Sequence, residues 1–256
     1  MIMSNFLHKS TVLIPFAALA ALAFLLICAP LRAAAASSAG SSPEARAAAL
    51  QDFYRGLTSL TFDFSQMTFS GGRERTGKGN AVFYKGPAPA AKTGQDHGRG
   101  KWIGIMRWNY TEPDNQVIIN DGETLSIYTA KDKQLIRTPA GELESDITYA
   151  FFAGARALLD DFEAGEASGD PLHPAAGDLR TLLLVPRQPH NQIKTIQVWF
   201  DAASIIRHFR IEDHFGATTD LRFDNIEYNS LPPYDPKQVE MIISLQVPPD
   251  TEIITQ

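Results

Sequence analysis

From Leu60 onwards the chain is dominated by short runs in which apolar and polar residues alternate, separated by turn-forming residues. In the first run, Phe62 and Phe64 alternate with Asp63 and Ser65. A period of two indicates a β-strand with one buried face. The pattern predicts a long antiparallel meander, with strands over residues 60–69, 82–84, 105–110, 116–120, 124–128, 181–185, 193–200, 205–211, 219–228 and 241–247.

Two segments break this alternation with helical spacing. The first covers residues 43–56, and the second covers residues 146–163 with an apolar face that includes Phe151, Phe152, Ala155 and Leu158. A sheet of this size leaves an apolar face to cover, and only these two helices are available to cover it. The expected fold class is therefore mainly β with helices (α+β), a strongly curved sheet closed by a helical lid.

The N-terminal sequence predicts that the protein is exported from the cytoplasm. Residues 11–31 carry no charge, and an alanine run follows at residues 33–36. We expect a signal peptide over residues 1–35, a linker over 36–44 and one domain over 45–256. The alternative is an uncleaved membrane anchor, because about 20 apolar residues can also span a bilayer. Ile27 immediately before Cys28 disfavours a lipoprotein precursor, which would place a small residue there.

Charge and cysteine content exclude several functions. The formal net charge of −6 argues against nucleic acid as a partner, because phosphate binding needs a basic face. The single cysteine excludes a disulfide framework and a multi-thiolate zinc site. His208 and His214 would lie about 20 Å apart on one strand, which is too far for one metal ion. We expect no metal and no cofactor.

An enzyme is the less favoured class, because the chain lacks a Gly-x-Ser-x-Gly elbow, a phosphate-binding glycine loop and a His-Glu-x-x-His helix. A lipid hydrolase stays open as an alternative, and it would need a serine or histidine activated inside an apolar hollow. By itself, the segment with Trp108 and Tyr110 and the Asp121-Gly122 turn predicts an ordinary hairpin that packs its aromatic residues into a core.

The wider pattern resembles the periplasmic outer-membrane lipoprotein carrier family, LolA, over residues 45–254. The resemblance is strongest over residues 106–125, where Trp108, Pro113-Asp114 and Asp121-Gly122 keep the spacing of the family. It is supported by three flanking motifs, which are Phe62-Asp63-Phe64-Ser65-Gln66, Tyr84-Lys85-x-Pro87 and Val247-Pro248-Pro249-Asp250-Thr251-Glu252-Ile253.

The resemblance implies an incomplete antiparallel β-barrel with a helical lid over an apolar cavity. It also implies a monomeric carrier that takes acylated lipoproteins from an inner-membrane lipoprotein-releasing ABC transporter to an outer-membrane acceptor lipoprotein. The localisation it implies is the periplasm. Two relatives of similar fold stay open as alternatives: a periplasmic lipid or lipoprotein sensor, and an acceptor that is itself a lipoprotein.

Trp108 matches the cavity-wall tryptophan of the family, and Met106 matches an apolar wall position. Gly86 stands where the family carries a lid-locking arginine, so Arg107 is the candidate for that role. Residues 88–103 resemble a flexible insertion. Strand parity adds the remaining lipid-binding candidates, and the full wall set is Phe62, Phe64, Phe83, Met106, Trp108, Tyr110, Ile119, Leu125 and Ile127. The lid candidates are Phe151, Phe152, Ala155, Leu158 and Arg107.

Overall fold

A single sheet of twelve strands organises the computed structural model, which describes residues 42–87, 102–140, 152, 158–167, 179–189 and 192–255. All neighbouring strands are antiparallel except the parallel pair β12 and β6. The strand order is β12-β6-β5-β4-β3-β2-β1-β11-β10-β9-β8-β7. The strands are β1 (Ser59–Ser70), β2 (Arg73–Pro87), β3 (Trp102–Glu112), β4 (Gln116–Asn120), β5 (Thr124–Thr129), β6 (Gln134–Pro139), β7 (Phe162–Gly165), β8 (Arg180–Pro186), β9 (Thr195–Phe200), β10 (Ile206–Glu212), β11 (Thr218–Tyr228) and β12 (Glu252–Thr255).

The sheet is curved and unclosed. Phe83 on β2 and Phe209 on β10 both contact the ring of Phe152, at centroid distances of 4.9 and 5.9 Å. Three inter-strand steps separate these strands, about 14 Å in a flat sheet. The two strands therefore bend towards each other. The concave face, which bears Phe62, Phe83 and Trp108, is called the inner face below, and the opposite face is the outer face.

The described residues include three helical segments, α1 (Pro43–Gly56), the single turn α2 (Leu158–Asp161) and α3 (Pro236–Ile243). Ser42 caps α1 by accepting a hydrogen bond from the Ala45 amide, and Pro43 occupies the first turn. The buried residues of α1, Ala47, Leu50 and Tyr54, recur at helical spacing and join the core of the inner face. The predicted helix over residues 43–56 is confirmed.

Three boundary predictions are wrong. Residues 241–247 were predicted as a strand, but α3 occupies positions up to Ile243 because Asp235 caps a helix that begins at Pro236. The predicted second helix extends too far, since Phe162 and Glu163 pair with β8 as part of β7. The predicted insertion ends too late, since Trp102 and Ile103 belong to β3 and pair with Pro87 and Gly86.

The other predicted strands each overlap an observed one, and the turn at Gly71 and Gly72 has the positive φ angles that favour glycine. Strands β6, β7 and β12 were not predicted. The predicted signal peptide, and residues 88–101 of the predicted insertion, lie outside the described residues. Among the helices in the described part of the chain, none has the length and apolarity that a membrane span requires.

Candidate functional site: an aromatic inner face and its cover

Aromatic side chains from adjacent strands meet on the inner face. Phe62 lies at the centre, with its ring 5.6 Å from Trp108, 6.1 Å from Phe83 and 4.9 Å from Phe223. Phe64 continues the cluster and contacts both Trp108 (4.7 Å) and Tyr110 (4.9 Å). These rings come from β1, β2, β3 and β11, because period-two alternation directs them to the same side of the sheet.

Phe152, from the predicted lid, lies in the middle of this cluster. Its ring is 5.4 Å from both Tyr54 and Phe62, 4.9 Å from Phe83 and 5.7 Å from Phe223. The side chain is 5% exposed. One residue therefore makes ring contacts with α1, β1, β2, β10 and β11, and it fills the hollow of the inner face.

Strand register decides which predicted wall residues share that face. Met106, Trp108 and Tyr110 alternate along β3, and all three lie on the inner face. Across β4 and β5, Trp108 pairs with Ile118, which pairs with Ile127, so all three lie on one face. In the same way Met106 pairs with Asn120, which pairs with Leu125. The observed register therefore places eight of the nine wall candidates on the inner face.

The ninth assignment is wrong, because Ile119 pairs with Arg107 and lies on the outer face. Tyr110 pairs with Gln116, so the even-numbered residues of β4 point inwards. A shift of one residue in the assumed register reverses every side chain of a strand. Ile118 and Ile136 are two inner-face residues that sequence reasoning missed, and only the register across β3, β4, β5 and β6 identifies them. Phe209 and Phe223, which contact Phe152, are two others.

Arg107 lies on the face of the sheet opposite Phe152, the described residue at the centre of the predicted lid. Its guanidinium lies on the outer face and donates to the backbone oxygens of Ile242 (3.0 Å) and Ser244 (2.6 Å), at the C-terminal end of α3. Its Nε donates to Asn109 (2.7 Å). The arginine therefore fixes α3 to β3, and its assignment as a lid residue is corrected.

Gly86 also faces α3. A Cβ atom at this position would lie 2.7 Å from Val239 Cγ2 and 2.9 Å from Ile105 Cδ1. The neighbouring Lys85 instead donates its Nζ to the backbone oxygens of Tyr54 and Arg55, the last turn of α1. A cation suits that position because it satisfies the free carbonyl groups of a helix end.

Two further ties hold α1 and α2 to the core. The Tyr54 hydroxyl accepts a hydrogen bond from the Ile206 amide (2.9 Å), and burial raises the pKa of Tyr54 above its usual value. Leu158, a lid candidate, is buried, and its amide donates to Gln51 of α1 (2.7 Å). The other two lid candidates, Phe151 and Ala155, lie outside the described residues.

Titratable groups cluster away from the inner face. His208 and Arg210 both bond to Asp220 Oδ1, at 2.7 and 2.9 Å, and His208 stacks on Trp199. Burial opposes ionisation, but these two hydrogen bonds lower the pKa of Asp220 below its usual value. The cluster lies on the outer face, since His208 neighbours the inward-facing Phe209. In the ranges that the structure describes, no group of three or more His, Cys, Asp or Glu side chains is arranged to hold a metal ion.

The sequence comparisons with known proteins agree on one family. A sequence profile described as "Outer membrane lipoprotein carrier protein LolA" matches residues 104–235. An outer-membrane lipoprotein carrier protein of Chromobacterium violaceum is 29% identical over 208 residues, which cover 80% of this chain and 89% of that protein. The carrier protein of Cupriavidus necator is 28% identical over 217 residues, covering 83% of this chain and 86% of that protein. The crystal structure of a LolA superfamily protein from Nitrosomonas europaea superposes with a TM-score of 0.37 at 12% identity, covering 75% of this chain and 96% of that one.

Proposed function

The chain belongs to the LolA family of outer-membrane lipoprotein carriers, and from this premise we propose that it binds the acyl chains of lipoproteins on its inner face and carries them across the periplasm. The cargo is loaded by an inner-membrane lipoprotein-releasing ABC transporter and delivered to the outer membrane. Residues 1–35 act as the signal peptide that exports the chain. The relatives are named as carriers and not as enzymes.

The position of Phe152 is the observation that carries this proposal. An apolar ring from outside the sheet occupies the centre of a curved aromatic surface and contacts five structural elements. These contacts are between apolar rings, so an acyl chain can cover the same surface. Phe152 therefore acts as a plug that protects the inner face when no cargo is bound.

The energies favour exchange of the plug for cargo. Moving an acyl chain out of water is worth roughly 0.8 kcal/mol per CH₂ group, or on the order of 10 kcal/mol for a long chain. Burying one phenylalanine side chain is worth about 3 kcal/mol. A cargo chain therefore displaces Phe152, while the plug lowers the net affinity enough for the carrier to release its cargo.

The apolar surface extends beyond the plugged centre. Ile118, Ile127 and Ile136 continue the row of Trp108 across β4, β5 and β6, and each of them is only half-buried. A strip of partly exposed isoleucines on a concave surface suits a flexible hydrocarbon chain, which needs area rather than directional contacts. We propose that an acyl chain lies along this strip once Phe152 has moved.

Photo-crosslinking in cells tests the carrier function. A benzoylphenylalanine probe replaces Met106 on the inner face, and a matched chain carries the same probe at Ile119, which is equally buried but lies on the outer face. We expect mass spectrometry to identify acylated lipoproteins attached at Met106 and none at Ile119. Attachment of free lipid alone would contradict the carrier function and favour a sensor or another lipid shuttle. Equal attachment at both positions would contradict the inner face as the binding surface.

A further inference from the structure

The inner face changes from apolar to polar along the strands. The row formed by Phe62, Ala81, Trp108, Ile118, Ile127 and Ile136 is apolar, and is called the apolar row. The next row towards the β1–β2 turn is mixed, with Phe64 and Tyr110 at one side and Gln116, Thr129 and Gln134 at the other. Beyond it, the inner positions of β1 and β2 are Gln66, Thr68 and Arg75.

An open groove of about 370 Å³ lies at this polar end. Its lining includes Gln66, Thr68, Arg75, Tyr110, Gln116 and Thr129, which together are called the polar groove. The side chains are pre-ordered by hydrogen bonds between them, from Gln66 Nε2 to Thr68 Oγ1 and from Gln116 Nε2 to Thr129 Oγ1, both 3.3 Å. The groove presents amides, hydroxyls and a guanidinium on the same concave surface that carries the apolar row. Its rim also includes the carboxylates of Glu112 and Asp114, which are ion-paired with Lys78 and Lys131.

Tyr110 marks the boundary between the two regions. Its ring contacts Phe64 on the apolar side, while its hydroxyl donates to Gln66 Oε1 (2.8 Å) on the polar side. The ring lies over Gly77, where a Cβ atom would approach it to 3.3 Å. A tyrosine is suited to such a boundary because one end of the side chain is apolar and the other is polar.

We infer that the polar groove binds the polar end of the acylated cargo, namely the ester and amide groups of the acylated N-terminal cysteine and the peptide backbone that follows it. This inference rests on the proposed function. Carboxamide and hydroxyl groups both donate and accept hydrogen bonds, as ester and peptide groups require. A cargo bound the other way round, with its acyl chains in the groove, would place its ester and peptide groups on the apolar row, where an unpaired polar group is costly. The acyl chains therefore point from the groove towards Trp108 and Phe152.

The orientation is testable with spin labels at the two ends of β5. Cys28 is the only cysteine and lies in the proposed signal peptide, so the mature chain accepts a single label at Lys131→Cys, beside the groove, or at Glu123→Cys, at the other end. The ligand is a dipalmitoylated cysteinyl peptide with a second spin label on its peptide part. We expect the ligand label to lie on the order of 10 to 20 Å closer to position 131 than to position 123, because β5 is about 20 Å long. A shorter distance to position 123 would overturn the inference.

Paired affinity measurements separate the groove from the acyl site. We expect Gln66→Leu and Gln116→Leu each to weaken binding of the dipalmitoylated peptide about fivefold, since each removes hydrogen bonds worth on the order of 1 kcal/mol. Binding of the apolar dye N-phenylnaphthylamine should stay unchanged. Gln238→Leu, on α3 of the outer face, is the matched control and should change neither affinity.

The outcomes of these assays distinguish the two hypotheses. If a groove variant lost equal affinity for the peptide and the dye, or lost no affinity for the peptide, the groove would not be the site of the polar end. Either result would leave the carrier function standing. Failure of the unsubstituted protein to bind the dipalmitoylated peptide would contradict the proposed function and the groove together.

Discussion

The two faces of β2 and β3 are both covered, but by different kinds of contact. On the outer face, α3 is held by directional hydrogen bonds from Arg107 and by Tyr84, whose hydroxyl donates to the Pro232 oxygen and accepts from the Asp235 amide, both at 2.7 Å. On the inner face, Phe152 meets the sheet through aromatic rings.

The kind of contact determines how easily each cover can be replaced, α3 on the outer face and Phe152 on the inner face. A hydrogen bond between defined atoms is lost when the partner moves, and a buried group left unpaired costs about 1–3 kcal/mol. A ring on an apolar surface is replaceable by any apolar group of similar area. We conclude that α3 belongs to the framework of the sheet, whereas Phe152 is suited to leave.

Gly86→Arg is the strongest test of the outer face. The new Cβ atom would overlap Val239 and Ile105, so we expect the free energy of unfolding to fall by about 3 kcal/mol. Urea unfolding measures the loss, and Gly165→Arg is the control because a Cβ atom there meets nothing within 4 Å. Equal stability of the two variants would show that α3 is not closely packed on Gly86.

Arg107→Ala should cost about 2 kcal/mol of unfolding free energy, because it removes charge-assisted hydrogen bonds to two backbone oxygens. The affinity of the folded protein for a dipalmitoylated peptide should not change. Arg137→Ala is the matched control, since Arg137 lies in the same outer-face row and is exposed. Weaker peptide binding without a loss of stability would return Arg107 to the lid.

Comparing Phe152→Ala with Ile242→Ala tests the two covers directly, because Ile242 is the buried residue of α3. Both substitutions should lower the melting temperature. Only Phe152→Ala should raise the affinity for the dipalmitoylated peptide, by about fivefold, because it removes the group that competes with cargo. Calorimetric titration measures the affinity of each variant for the peptide. A gain in affinity in both variants, or in neither, would contradict an exchangeable plug.

Tyr54→Phe has the smallest expected effect at neutral pH, about 1 kcal/mol for the lost hydrogen bond from Ile206. The pKa of Tyr54 is raised in the folded protein, so the unfolded chain releases this proton first and stability falls as the pH rises above about 10. Urea unfolding between pH 7 and 11 should show a shallower decline in Tyr54→Phe. An identical slope in Tyr54→Phe and the unsubstituted chain would contradict the burial argument.

Local patterns were sufficient to predict much of the inner face. Alternation along β1 and β3 identified Phe62, Phe64 and Trp108, because the side-chain period of a strand is a local property. Which face of the sheet Ile119 lies on depends on the register between β3 and β4, and the alternation of residues along one strand does not determine that register.

The outer face was harder to predict from sequence. Ile242 and Ile243 favour a strand over residues 241–247. The capping signal of Asp235 and Pro236 favours a helix, and the structure has a helix up to Ile243. The role of Arg107 depends on backbone carbonyl groups that are distant in sequence. Such tertiary hydrogen bonds leave no local pattern, so only the structure assigns them.

Quenching of tryptophan fluorescence by a brominated acyl chain tests the central claim most directly. Two chains are compared, one keeping only Trp108 (Trp102→Phe, Trp199→Phe) on the inner face and one keeping only Trp199 (Trp102→Phe, Trp108→Phe) on the outer face. If acyl chains bind on the inner face, a dipalmitoylated peptide with brominated chains quenches Trp108 saturably and leaves Trp199 unchanged. Quenching of Trp199 alone, or of both equally, would contradict the account.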